Sequence, residues 1–142
     1  MKTRYSSLVS VKKNIMQKSE RVLQTKNFAR NNAKEALTES FSQLEQLQSP
    51  KSGLVSDFLS SRALLDLQRS LIRHNEEWLA FATKEVQEAQ EQLKRDMIEY
   101  EKFQYLEVQE VEALKQQQKI KEAKELDEVA LITHNNNKQR SA

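Results

Sequence analysis

Pro50 and Gly53 are the only proline and the only glycine in 142 residues, and they sit three positions apart in the run Ser49-Pro50-Lys51-Ser52-Gly53. Proline lacks an amide N–H and glycine lacks a Cβ, so each breaks a helix for its own backbone reason. A connection this short joins antiparallel neighbours. The sequence therefore predicts an all-α fold, an antiparallel two-stranded coiled-coil hairpin with a long overhanging second helix. Its expected boundaries are helix 1 over about 4–48, a turn over 49–53, helix 2 over about 54–132 and a disordered tail over 133–142, in one elongated domain.

Composition limits the alternatives. Ala, Glu, Lys, Leu and Arg account for 68 residues, close to the half expected of coiled coils. With 37% hydrophobic and 31% charged residues, the chain has too little apolar material for a thick globular core. A narrow seam between helices remains. No apolar run is long enough to span a bilayer and no leader-like segment opens the chain, so a cytoplasmic protein without direct membrane insertion is expected. The absence of cysteine rules out disulfides and thiolate metal sites.

Charge is uneven although the total is only +2: residues 1–34 carry a local +8 and residues 76–128 a local −7. If the chain folds back at 49–53, position i faces roughly position 102 − i, and the basic opening lies beside the acidic stretch. Pairs of one sense along both helices favour the antiparallel alignment. They also supply a protein neighbour for the basic residues, so no nucleic-acid partner is assigned.

The apolar positions of helix 1 run Leu8, Val11, Ile15, Val22, Ala29, Ala33, Leu37, Phe41, Leu44 and Leu47, mostly at steps of three, four or seven. Lys18 and Thr25 or Lys26 interrupt them. In helix 2, Phe58, Leu65, Ile72, Leu79, Val86, Leu93 and Tyr100 recur every seven residues, the signature of a supercoiled seam. Ser61, Gln68, Asn75 and Asp96 occupy companion positions, where polar groups fix register. Ser52 or Ser56 is the expected cap of helix 2. Helix 1 is expected to cover its partner only to about residue 100, leaving the last third of helix 2 exposed.

Catalysis finds little material. There is no phosphate-cradling glycine loop, and His74 and His134 lack partners at ligand spacing. The sequence assigns no catalytic residue, no cofactor and no metal. What exceeds the needs of a two-helix seam is a second stripe, Leu64, Leu67, Leu71, His74, Trp78 and Phe81, beside the main one. Two coverings for it stay open: helix 1 or a short helix over Leu54–Ser61, or an outside partner anchored on Trp78.

Near the end, Lys121-Glu122-Ala123-Lys124-Glu125-Leu126-Asp127-Glu128-Val129-Ala130 resembles the Lys/Gln-rich stretch closing in Leu-Asp-Glu-aliphatic-Ala of the FliJ family. Tyr5, Leu8-Val9, Val11 and Lys12-Lys13 resemble that family's opening. Its members are coiled-coil stalk proteins of the bacterial flagellar type III export apparatus. The resemblance implies three partners: the hexameric export ATPase, a membrane export gate protein and export chaperones. It also implies a monomer without enzymatic activity, peripheral at the inner face of the inner membrane. The ATPase-binding end would comprise Leu8, Val11, Ile15, Leu126, Asp127, Glu128 and Val129; the gate-facing residues would be Leu64, Leu67, Leu71, His74, Trp78 and Phe81. The equivalent stalk of a virulence injectisome and a generic coiled-coil secretion chaperone are the competing readings.

Overall fold

The computed structural model describes residues 2–47 and 50–140. Two α-helices account for nearly all of them: α1, Ser6–Gln46, and α2, Val55–Arg140. The chain is an all-α helical hairpin. It divides into two compact units, one of Ile15–Met97 and one of Met1–Asn14 with Ile98–Ala142.

Pro50–Gly53 lie in the connection, as expected, whereas Gln48 and Ser49 fall outside the described residues. Gly53 has φ +146°, a left-handed value that side chains rarely adopt, and a Cβ there would stand 2.8 Å from Asp57 Oδ2. That carboxylate caps the helix. Leu54 N donates to Asp57 Oδ2 at 3.2 Å, so the carboxylate three residues in satisfies the free amide at the helix start. The expected cap at Ser52 or Ser56 is therefore replaced by Asp57, whose acceptor also suits the positive end of the helix dipole.

In the unit Ile15–Met97 the seam of α2 follows the heptads read from the sequence. Ile72, Ala82, Val86 and Ala89 are buried, Leu65, Leu79 and Leu93 half-buried, and Val86 keeps only 1% of its surface. The facing positions on α1 are Leu23, Ala33, Leu37, Ser40 and Leu44. Small residues at Ala33, Ser40, Ala82 and Ala89 bring one backbone within reach of the other helix's side chains. Asn75 Nδ2 donates to Ser40 Oγ at 3.2 Å and to Ala36 O at 3.3 Å. Gln68 Nε2 donates to Ser40 O at 2.8 Å. Among the described residues no buried side-chain nitrogen or oxygen lacks a partner.

These contacts correct the register. Lys26 pairs with Glu85, not with the neighbourhood of residue 76, and Ser40 meets Asn75 instead of residue 62. The offset is about ten residues, or three helical turns. The first turns of α2 lie beside Leu47, Pro50 and Lys51, before the stretch that α1 pairs with. These residues line a groove with Asp57, Ser61 and Leu65. Phe58 lies before the paired region and is exposed, although its heptad position predicts a seam residue.

In the other unit Tyr5, Val9 and Lys12 face Tyr100, Phe103, Glu107 and Glu110. Ser6 Oγ donates to Glu107 at 2.9 Å, and Arg4 Nε donates to Glu110 at 3.0 Å. Cover from α1 therefore reaches Glu107, and from Arg4 just before it Glu110, past the expected limit near residue 100. From Lys115 to Arg140 every residue is exposed. Helix continues eight residues beyond the expected end at 132, because nothing after Gly53 is proline or glycine, and Thr133 Oγ1 bonds Val129 O at 2.8 Å.

Candidate functional site

The candidate faces are built from apolar residues that the seam leaves out. On α1 they arise from a conflict of phase. Ala33, Leu37, Ser40 and Leu44 fix which side of α1 meets α2, and a regular helix carries that phase toward its start. The same side then presents Val9, Lys12, Met16, Ser19, Leu23, Lys26 and Arg30. Leu8, Val11, Ile15 and Val22, expected in the seam, lie one position round the helix and are exposed, as are Phe41 and Leu47.

Polar seam positions on α1 are matched across the interface. In the unit Ile15–Met97, Ser19 Oγ donates to Asp96 and Lys26 Nζ pairs with Glu85. In the other unit Lys12 Nζ lies 3.7 Å from Glu99 and 5.6 Å from the centre of the Phe103 ring. Lys12, Ser19 and Lys26 are spaced by seven, a polar heptad of which the sequence reading singles out only Lys26, as an interruption of the apolar stripe. The Arg4 guanidinium, bonded to Glu110 and 5.0 Å from the Tyr5 ring centre, is held above its ordinary pKa by that carboxylate.

The second stripe of α2 is open. Leu64, Leu67, Leu71, His74, Trp78 and Phe81 are all exposed, which settles its covering against both α1 and a separate short helix. Trp78 is the least accessible of the large ones, at 39%, and shares a shallow depression with His74, Glu77 and Phe81. A partly enclosed tryptophan, here beside a second exposed aromatic ring, Phe81, is the residue type that dominates binding hot spots.

The sequence-defined end group splits into two places. Leu126 and Val129 are exposed on α2, with Glu122 and Glu125 beside them, and Asp127 and Glu128 are exposed too. Leu8 and Val11 lie on α1 beside the Tyr100–Glu107 stretch, more than twelve residues before Leu126 along α2. The structure does not bring these two sets together. Ile15 is exposed within the other unit. Two further exposed groups escaped the sequence reading: Ile98, Tyr105 and Val108 on the outer side of α2, and Leu54, Val55 and Leu59 at its start. The first repeats at seven and three residues, a signal hidden by the stronger seam.

Among the described residues no cluster of three His, Asp or Glu side chains is placed to hold a metal ion, and no helix is long and apolar enough to cross a membrane. The fold is an all-α helical hairpin of the coiled-coil kind. Residues 1–139 match the family described as flagellar FliJ protein, and the chain belongs to it. It is a component of flagellar type III export, in a family of structural export proteins and not of enzymes. No curated protein and no solved structure matches the chain.

Proposed function

We propose that this chain is the central stalk of the export machine: it binds the hexameric export ATPase, promotes its assembly and activity, and links it to the membrane export gate. The observation that carries the reading is the exposed helix from Lys115 to Arg140, where Leu126, at 69% exposure, and Val129 stand clear of the hairpin. Apolar side chains on a stretch of helix that is exposed throughout need another molecule to bury them. Asp127 and Glu128 flank them and give the contact a charged rim. Leu8, Val11 and Ile15 contribute a second level of contact instead of completing the first. The exposed stripe Leu64, Leu67, Leu71, His74, Trp78 and Phe81 serves the gate protein, and export chaperones are the third class of partner. The chain works in the cytoplasm at the inner face of the bacterial inner membrane.

Two paired variants test this reading in the presence of purified export ATPase and gate protein. Leu126→Glu with Val129→Glu abolishes stimulation of ATP hydrolysis and leaves helicity unchanged. Leu71→Glu with Trp78→Glu abolishes gate binding and leaves stimulation intact. Full stimulation by the first pair would remove the ATPase assignment.

A further inference from the structure

The seam of α1 contains its less apolar side. Over its first half, the side facing α2 alternates Val9, Met16 and Leu23 with Lys12, Ser19 and Lys26, while Leu8, Val11, Ile15 and Val22 lie next to it, exposed. By apolar burial alone the helix would gain from turning the other way, which exchanges Val9, Met16 and Leu23 for Leu8, Val11, Ile15 and Val22. Each polar seam residue has a partner on α2: Lys12 with Glu99, Ser19 with Asp96, Lys26 with Glu85. Those partners stand along α2 at the places where the three side chains arrive, between the half-buried Val9, Met16 and Leu23.

We propose that these polar rungs form a rotational latch, holding the first half of α1 turned so that its apolar stripe stays outward and available for contact. The latch acts inside each unit by itself. Lys12–Glu99 orients Leu8 and Val11 in one; Ser19–Asp96 and Lys26–Glu85 orient Ile15 and Val22 in the other. The inference concerns orientation alone and holds whichever molecule docks on the stripe. A coiled coil specified this way gives up apolar contact for a defined rotation, the trade that polar seam residues make when they fix register.

The chain contains no cysteine, so a single introduced thiol is the only reactive one. Val11→Cys and Val22→Cys report on the stripe, one in each unit, through their rate of alkylation in the full-length chain. Glu85→Lys with Glu99→Lys sets like charges against Lys26 and Lys12. The latch then opens, the stripe turns inward, and both thiols react about ten-fold more slowly at unchanged helicity, as local burial protects any group from solvent. Adding Lys12→Glu and Lys26→Glu restores opposite charges with the sense reversed, and the original rates return. Unchanged rates in the charge-reversed variant would overturn the proposal. So would a loss of helicity there, since the rungs would then hold the helices together without orienting them, and so would a compensated variant that stays slow.

Discussion

Asn75 gathers the seam's polar contacts at one side chain, donating to both a hydroxyl and a backbone carbonyl of the opposite helix. Asn75→Ala removes both bonds and leaves acceptors facing a void, so unfolding free energy falls by about 1–3 kcal/mol, read from urea melts. Val86→Ala acts by a different route, a cavity at the most enclosed side chain of α2, with a loss of roughly 1–3 kcal/mol. At the turn, Gly53→Ala forces a Cβ against the carboxylate that caps α2 while demanding a strained φ. A loss of about 1 kcal/mol or more follows, and Asp57→Ala, which removes the cap itself, loses about 1 kcal/mol. If the alanine at 53 were neutral in the same melts, the capping geometry described for Asp57 would be wrong.

The two helices differ in how far their sequences reveal them. Heptads from Leu65 to Leu93 identify the seam of α2 because one periodic signal governs both packing and exposure there. In α1 two signals compete, and counting apolar residues selects the stripe at Leu8, Val11, Ile15 and Val22 where the folded helix packs its neighbour. Phase is a property of the whole helix, set where packing is tightest, at Ala33 and Ser40, and a local tally cannot see that. Register was hidden for a similar reason: it depends on the path of the connection, which periodicity does not encode. The second stripe of α2 was visible by its spacing, but its exposure depended on where α1 lies. Beyond Leu114 the helix has only its own propensity and partner contacts to sustain it, and isolated helical stretches are marginal in water. Deleting residues 115–142 therefore leaves the thermal midpoint of the hairpin unchanged, measured by circular dichroism. A marked fall in that midpoint would show that the segment supports the fold.

At the scale of the whole molecule, the local +8 of residues 1–34 and −7 of residues 76–128 nearly cancel, and with +1 from the rest the total is only +2. Exposed pairs of this kind contribute about 0.2–1 kcal/mol each and are screened by salt. The seam is filled within one chain, so sedimentation is expected to give a monomer near 16.6 kDa. A dimer would point to pairing through the long helix and to a spacer protein instead of a stalk. The placement of the partner faces is tested most directly by hydrogen exchange on the full chain, alone and with the export ATPase. Alone, amides of residues 65–110 exchange slowly and those of 115–140 quickly; in the complex, the second group becomes protected around Leu126 and Val129 while Leu64–Phe81 stays unchanged. Protection confined to Leu64–Phe81, or none at all, would contradict it.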